Sequence, residues 1–359
     1  MTRQECGFTL IEVVVASAIL ATAFVVLLRL LADGQRLARV QPEAADLRQR
    51  VRVAADMLQR DLLMAGAGTV HGASAGPLSN LLPVVLPMRT GARHADPELS
   101  FFDDRITILY AESGIAAAPL AVDMAAPDTD VPIDPTAVGC PAAGLCGFEP
   151  GTRALIVRTG DVGTGYDMFS VSGLSTGLTH GPPDPALSLA YPRAGTQVVP
   201  IRQRVYYLDS AAHRLMLYDG YQTDVALAEN IVFLKFEYFA DPWPASVPRP
   251  PAGGSNCVYA AGMPPVPVLA DYGAAAPVPV AKAQLVDGPV CGAAPNRFDG
   301  DLLRIRRIRV TLRAQAADRM VRASGPDYAI PGLSAGGSGA VPDLEVAFDV
   351  TPRNNQASR

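Results

Sequence analysis

The N-terminus contains an apolar stretch long enough to cross a membrane as one helix. It runs from Phe8 to Leu28, which is 21 residues. As a helix it spans about 31 Å, close to the ~30 Å hydrocarbon core of a bilayer. The apolar region of a cleavable secretory signal is shorter, and small residues follow it. Here Arg29, Leu30 and Leu31 follow instead, so the pattern predicts a retained membrane helix rather than a conventional signal peptide.

A single carboxylate, Glu12, interrupts this apolar stretch. An ionised group inside a membrane segment is costly, and it indicates a function when a partner for the charge can be named. The alternative is that Glu12, one turn from the helix start, extends to the aqueous interface. The residues that precede Glu12 favour the functional interpretation.

A short polar leader ends at Gly7 and is followed by Phe8, Thr9, Leu10, Ile11 and Glu12. This segment resembles the class III signal of type IV pilins and type II secretion pseudopilins. In that family a Gly precedes a methylated Phe, and a Glu occupies the fifth position of the mature chain. The resemblance implies that prepilin peptidase cuts between Gly7 and Phe8 on the cytoplasmic side, and that the new amino group of Phe8 is N-methylated.

The resemblance also implies how the subunit assembles. Glu12 of one subunit would pair with the Phe8 ammonium of its neighbour, because an unpaired charge in a dry helix bundle is strongly unfavourable. Glu12 and its own Phe8 are one helical turn apart, so an intramolecular pair is an alternative before assembly. The implied partners are prepilin peptidase, other minor and major pilins, and inner-membrane lipid, with no nucleic acid.

The same resemblance places the protein in the inner membrane, with one membrane pass and its globular domain in the periplasm, and afterwards in a pilus or pseudopilus. Charge alone does not orient the helix, since cytoplasmic flanks normally carry Lys or Arg. The leader has only Arg3 as a basic residue, whereas Arg29, Arg36 and Arg39 stand on the far side.

Helical periodicity continues beyond the apolar stretch. Five apolar residues follow a 4-3-4-4 spacing and share one helix face: Leu47, Val51, Ala54, Leu58 and Leu62. Gly66 and Gly68 are typical of a helix end, and Pro42 predicts a kink or an interruption near Gln41. We therefore divide the chain into a leader (1–7), a transmembrane helix (8–31), an amphipathic periplasmic helix (32–66) and a globular β domain (67–359).

Strand-like patterns replace the helical pattern in the globular part. They occur in Ile106–Tyr110, Ala154–Arg158, the hairpin Arg204–Leu208 with Arg214–Tyr218, Ile231–Phe239, Arg307–Arg313 and Leu344–Val350. The last three alternate between apolar and polar residues, as an antiparallel sheet packed on a helix requires. The expected fold class is α+β: a long kinked N-terminal helix, transmembrane in its first half, packed on an antiparallel β-sheet.

Three segments of the C-terminal half carry a second resemblance. Ala228 to Phe239, Arg307 to Arg313 and Val350 to Asn354 are similar in order and pattern to the C-terminal half of PilW-type minor pilins. The resemblance implies a non-enzymatic subunit that primes or caps a type IV pilus. The J-type minor pseudopilin of type II secretion has a related layout and is the alternative. The length of this chain favours the pilus, because the secretion homologues are usually shorter.

Two stretches rich in proline and alanine, 111–150 and 241–295, separate the predicted strands. The second contains twelve prolines, and proline is not tolerated in a central strand. We expect both stretches to be surface insertions outside the core, since loops of this length are usually functional or disordered. A further functional alternative is therefore a pilus-tip adhesin that binds its target through these insertions.

The chain has five cysteines, of which Cys6 lies in the leader. Its removal leaves four, and an even number in the periplasm is typical of disulfides. Because each insertion holds one pair close in sequence, we expect Cys140 to pair with Cys146 and Cys257 with Cys291. A zinc site made by all four is disfavoured, because paired CxxC spacings are missing.

No sequence motif indicates catalysis. The glycines of GDVGTG (160–165) lack the Lys-Ser/Thr pair of a phosphate-binding loop, and neither GxSxG nor HExxH occurs. The Asp299-Gly300-Asp301 segment, with Asn296 nearby, favours a turn over a calcium site. The arginines around 304–313 favour a solvated strand face over a DNA-binding surface, since the net charge is −5 and nucleic-acid proteins normally carry a basic face. We expect no enzyme activity, no cofactor and no metal.

Overall fold

The computed structural model describes residues 9–68, 82–111, 117–126, 128–140, 145–158, 165–182, 184–241, 257–258, 276–323 and 339–352. Within these ranges the chain forms one long helix and eighteen strands. It divides into two compact units, one made of Met1–Gln49 with Gln315–Leu344 and the other of Arg50–Ala314 with Glu345–Arg359.

Helix α1 spans Leu10–Met64. The strands in chain order are β1 (Val85–Leu86), β2 (Arg105–Tyr110), β3 (Ala118–Pro119), β4 (Asp130–Val131), β5 (Arg153–Arg158), β6 (Tyr166–Ser170), β7 (Gly173–Leu174), β8 (Leu178–Thr179), β9 (Thr196–Pro200), β10 (Arg202–Asp209), β11 (Arg214–Tyr218), β12 (Asp224–Glu229), β13 (Ile231–Ala240), β14 (Val278–Val280), β15 (Val290–Cys291), β16 (Phe298–Asp299), β17 (Ile305–Ala314) and β18 (Leu344–Val350). The long apolar helix followed by antiparallel sheets confirms the α+β class.

Helix α1 continues through Pro42, so the interruption that the sequence suggested near Gln41 does not occur. A proline removes one backbone donor and crowds one carbonyl, and here the helical turns on both sides persist. The helix ends at Met64, close to the predicted position. Gly66 follows with a φ of 73°, a left-handed conformation that glycine adopts without strain.

The predicted apolar stripe of α1 is buried. Its members expose at most 3% of their surface: Leu47, Val51, Ala54, Leu58 and Leu62. From Arg50 onward, α1 contacts the five-stranded sheet β1-β2-β10-β11-β12. Arg50 donates a hydrogen bond of 3.1 Å to the carbonyl of Glu229 in β12, and Asp61 accepts one of 2.5 Å from Tyr206 in β10. The helix therefore packs on a sheet as the sequence predicted.

Three strands of this sheet, β2, β10 and β11, agree with the sequence, whereas β1 and β12 were not predicted. Strands β10 and β11 form the predicted hairpin, with Val205 opposite Tyr218 and Asp209 opposite Arg214. Strand β2 pairs with the other side of β10, and the hydroxyls of Tyr110 in β2 and Tyr206 in β10 both contact Asp61 of α1.

A second sheet has the order β14-β13-β17-β18. It brings together the three predicted alternating strands, and the long β13–β17 pair has Phe236 opposite Val310. Within the stretch 241–295, the structure describes Asp241, residues 257–258 and residues 276–295. Pro279 lies there in β14, at the edge of this sheet, which agrees with the expectation that proline avoids central strands.

The expectation that residues 111–150 lie outside the core is wrong. Apolar side chains of this stretch are buried in a cluster with β5, β6 and β9, and they expose 5% or less: Ala118, Leu120, Met124, Val131, Ile133, Cys146 and Phe148. Strands of only two residues, β3 and β4, hold part of the stretch in place by pairing with β9 and β8. The described part of the 111–150 stretch therefore forms no long strand, but its apolar side chains are nevertheless buried.

In the unit that contains the first part of α1, the backbone of Ala317 donates a hydrogen bond to the Glu43 carboxylate. Arg322 and Val341 form an isolated parallel bridge, and the Arg322 guanidinium donates to the carbonyl of Ala316 at 2.6 Å. The bridge between Arg322 and Val341 joins the segments on the two sides of residues 324–338.

Candidate processing and assembly site

Thr9 and Glu12 form a reciprocal cap at the start of α1. The backbone N–H of Thr9 donates to Glu12 Oε2 at 3.0 Å, and the Thr9 hydroxyl donates to the same oxygen at 2.9 Å. In return, the Glu12 N–H faces Thr9 Oγ1 at 3.4 Å and the Thr9 carbonyl at 3.1 Å. This is the capping-box arrangement, with Thr at the N-cap and Glu three residues later. Glu12 is therefore held by its own helix end.

Exposed apolar side chains surround this carboxylate. Leu10 and Ile11 expose 84% and 71% of their surface. An 18-residue window of α1 has a mean hydropathy of 2.6 and no buried surface, so α1 is long and apolar enough to cross a membrane. An uncovered apolar surface of this size indicates contact with lipid or with other helices.

Two hydroxyls in the apolar part of α1 are satisfied within the helix. Ser17 Oγ donates to the carbonyl of Val13 at 2.7 Å, and Thr22 Oγ1 donates to the carbonyl of Ile19 at 2.8 Å. Such back-bonding removes the cost of placing a hydroxyl in hydrocarbon. Glu12 differs, because its Oε1 has no hydrogen-bond partner among the residues that the structure describes.

The predicted cleavage pair lies outside the described residues. Gly7 and Phe8 both precede Thr9, where the description begins, as does Cys6. The structure therefore places only Glu12 among the predicted processing and assembly residues, and it adds Thr9 as the residue that orients Glu12. The spacing Thr-x-x-Glu is a sequence signature of a helix start, so this contact was accessible from the sequence.

The structure joins Cys140 to Cys146 and Cys257 to Cys291. The first bridge lies next to the buried cluster formed by the 111–150 stretch, and Cys146 is itself a member of that cluster. The second bridge joins Cys291 of β15 to a segment 34 residues earlier. The first bridge ties Cys140 to the buried cluster, and the second ties Cys257 to β15.

The arginines of β17 are paired with carboxylates. Arg309 donates two hydrogen bonds to Asp349, at 2.7 and 3.1 Å, and these hold the pKa of Asp349 below its usual value. Arg313 donates to Glu345 and exposes only 1% of its side chain. Arg307 lies over the ring of Phe239 at 4.0 Å. The strand face is therefore less solvated than expected, and its carboxylates compete with any phosphate.

Asp299 and Asp301 form the predicted turn. Asp299 caps a short 3-10 helix, Gly300–Arg304, by accepting the Asp301 N–H at 2.8 Å. Asp301 pairs with Arg304 at 2.9 Å. Burial raises the pKa of both carboxyl groups. Among the described residues, no group of three or more His, Cys, Asp or Glu side chains is arranged to hold a metal ion.

Sequence reasoning missed a buried ion pair. The Arg153 guanidinium at the start of β5 binds the Asp184 carboxylate, and their side chains expose 7% and 0%. Asp184 also accepts the Ser170 N–H at 2.7 Å. Arg153 stands before an apolar strand in the sequence, but nothing in the sequence around Asp184 indicated this partner.

Comparison with known families gives one match, the prokaryotic N-terminal methylation motif, over residues 2–28. Neither the curated proteins nor the solved structures contain a match to this chain. The matched region includes the leader, the capped helix start and most of the exposed apolar part of α1. It indicates a structural subunit rather than an enzyme, and it fits anchoring in the inner membrane. The N-terminus therefore carries a prepilin-type methylation motif, which supports the class of type IV pilins and pseudopilins.

Proposed function

We propose that this protein is a minor pilin of the PilW type, which primes or caps the assembly of a type IV pilus. The observation that carries the proposal is the Thr9–Glu12 cap at the head of an exposed apolar helix, within the methylation motif. Such a cap is common at helix starts, but here it holds the carboxylate among uncovered apolar side chains. A filament subunit has a use for this carboxylate, because assembly brings a positive chain end to it.

Processing precedes assembly in this proposal. Prepilin peptidase cuts between Gly7 and Phe8, and the new amino group of Phe8 is methylated. The Thr9 N–H belongs to the Phe8–Thr9 peptide bond, so it survives the cut and continues to hold Glu12 Oε2. The other oxygen, Oε1, is left to receive the Phe8 ammonium of a neighbouring subunit, which neutralises both charges inside the helix bundle.

The PilW assignment rests on the C-terminal half. The first two segments that resemble PilW-type pilins contain most of β13 and of β17, which pair in one sheet, and the third begins at Val350, the last residue of β18 in the same sheet. The two disulfides support a periplasmic globular domain, because that compartment is oxidising. The mature subunit therefore stays in the inner membrane through α1, with its sheets in the periplasm, until other minor and major pilins take it into the filament.

Mass spectrometry of the mature N-terminus tests the processing step. We expect a chain that begins at methylated Phe8; a chain that begins at Met1, or well downstream of Phe8, contradicts the proposal. A Glu12→Ala variant should be cleaved normally but enter filaments poorly. A Glu12→Gln variant removes the charge but keeps the cap, because the amide oxygen still accepts the hydrogen bonds that Thr9 donates.

Deletion of the gene tests the choice of system. We expect surface pili and twitching motility to be lost while exoprotein secretion continues. If pili persist and secretion stops, the protein is a minor pseudopilin of the J type instead.

A further inference from the structure

A polar cavity of about 490 Å³ lies in the unit that contains most of the sheets. Its walls come from the Gly147–Arg153 turn, the Pro200–Arg204 segment at the start of β10, and the turn that holds Asp219 and Tyr221. The volume lies within the range of small-molecule sites. All three walls are outside α1 and the methylation motif, so the processing and assembly site does not account for the cavity.

Arg153 is the one buried arginine of this cavity, and its position is fixed. Its Nε donates to Gln203 at 3.2 Å, and its Nη1 donates to Ser170 at 3.0 Å and to Asp184. Gln203 is itself held by two hydrogen bonds to Thr90, of 2.8 and 2.9 Å. The guanidinium is therefore oriented before any ligand arrives, which lowers the entropic cost of binding.

One nitrogen of this guanidinium is left for a ligand. Nη2 of Arg153 has no hydrogen-bond partner among the described residues. It is also not one of the polar atoms that are both fully buried and without a partner. Nη2 therefore keeps its protons for a ligand, in a residue that lines the cavity. A planar guanidinium favours a carboxylate, which it binds through parallel hydrogen bonds.

The remaining walls supply acceptors and an aromatic ring. Asp219 uses Oδ1 to accept three backbone N–H groups of its own turn, at 2.8 to 3.0 Å, which leaves Oδ2 for a hydroxyl donor. Glu149 is exposed at the rim, and the Tyr221 ring is half-buried. Ligand hydroxyl groups can donate hydrogen bonds to the carboxylates of Glu149 and Asp219, and the apolar face of a sugar ring can pack against the ring of Tyr221.

The charge balance argues against a phosphate. Asp184 neutralises Arg153, and Arg204 lies 3.9 Å from Asp61. The other arginine that lines the cavity, the exposed Arg202, is outnumbered by the carboxylates of Glu149 and Asp219, so the cavity has no net positive charge. A dianion meets repulsion there, whereas a single carboxylate on a hydroxylated ring meets both the donor and the acceptors.

We propose that this cavity binds a small carboxylated and polyhydroxylated molecule of the uronic-acid type, with its carboxylate on Arg153 and its ring against Tyr221. The proposal is independent of whether the filament is a pilus or a pseudopilus.

Isothermal titration of the full chain in detergent micelles with glucuronate, glucose, acetate and phosphate tests the ligand class. We expect glucuronate to bind at least tenfold more tightly than each of the other three, because it alone has both a carboxylate for Arg153 and a hydroxylated ring for the other walls. Absence of binding up to about 10 mM glucuronate overturns the proposal. So does equal or tighter binding of phosphate.

Variants then locate the site. Tyr221→Ala removes the ring, and Arg202→Ala removes the exposed arginine that lines the cavity. Neither residue takes part in the hydrogen bonds of Arg153, and each substitution should weaken glucuronate binding about tenfold. Arg193→Ala removes an exposed arginine outside the cavity and should leave binding unchanged. Arg153 itself stays intact, because its ion pair supports the fold. Binding that survives both cavity variants unchanged overturns the assignment.

Discussion

The hydroxyl of Tyr206 donates a hydrogen bond of 2.5 Å to Oδ2 of Asp61, which joins β10 to α1 across 145 residues of sequence. The hydroxyl of Tyr110 in β2 lies 3.4 Å from Oδ1 of the same carboxylate. Burial and the negative charge of Asp61 raise the pKa of Tyr206, so the phenol remains a donor. An apolar stripe alone does not fix the position of a helix along a sheet, whereas this directional contact does.

We expect Tyr206→Phe to lower the free energy of unfolding by about 1.5–3 kcal/mol, because it removes a partly buried hydrogen bond to a charged group. Chemical denaturation of the full chain in detergent micelles measures the change. Tyr207→Phe is the matched control on the neighbouring position, where the hydroxyl binds Asp224 at 2.7 Å in an exposed site. An equal loss of unfolding free energy in both variants would show that the hydrogen bond to Asp61 stabilises the fold no more than the exposed one to Asp224.

A second prediction concerns Asp167, whose carboxylate is buried in β6. Burial raises its pKa above 3.8, although Ser188, Leu189 and Tyr191 all donate to it. The unfolded chain therefore loses this proton at a lower pH than the folded chain does. As the pH rises from about 4 through the raised pKa of Asp167, its contribution to stability becomes less favourable, and above that pKa it stays constant.

The comparison with Asp167→Asn measures this contribution, since the amide does not titrate. We expect the stability of the native chain relative to the variant to fall across that pH window. A relative stability that rises with pH would mean that the donors around Asp167 outweigh its burial.

The helix cap gives a third prediction. Thr9→Val removes the hydroxyl that binds Glu12, so we expect faster amide exchange over Leu10–Val13 in the micelle-bound subunit, because the first turn loses its side-chain cap. Thr9→Ser keeps a hydroxyl and should retain the protection. Equal exchange in the two variants would show that the cap does not hold the helix start.

Local patterns explain which parts of the fold were predictable. The stripe of α1 and the alternation of β13, β17 and β18 are repeats of three to four and of two residues, and they are visible within one element. The Thr9–Glu12 contact is also local. By contrast, the pairs Asp61–Tyr206 and Arg153–Asp184 join distant segments, and no local pattern marks either partner.

The stretch 111–150 shows a different limit. Its proline, alanine and aspartate content indicated a loop, and long strands are indeed missing from its described residues. Strands of two residues, isolated bridges and a disulfide nevertheless bury residues such as Leu120, Ile133 and Phe148. Composition predicts regular structure, whereas burial depends on where a short segment is anchored.

The two disulfides should contribute unequally to stability. A bridge restricts the unfolded chain more when it closes a longer loop, and the sequence separations are 6 for Cys140–Cys146 and 34 for Cys257–Cys291. We expect the double variant Cys257→Ser/Cys291→Ser to lose about 4 kcal/mol and Cys140→Ser/Cys146→Ser about 2 kcal/mol on this basis. Denaturation of the mature chain measures both.

Peptide mapping without reductant provides the control, because it identifies the bridges directly. Each double variant should keep the other bridge. A reducing agent should then destabilise that variant only by breaking the bridge that remains. A peptide that links Cys140 or Cys146 to Cys257 or Cys291 would contradict the pairing. An equal loss in the two variants would instead mean that packing around Cys146 in the buried cluster, rather than loop length, sets the contribution of the shorter bridge.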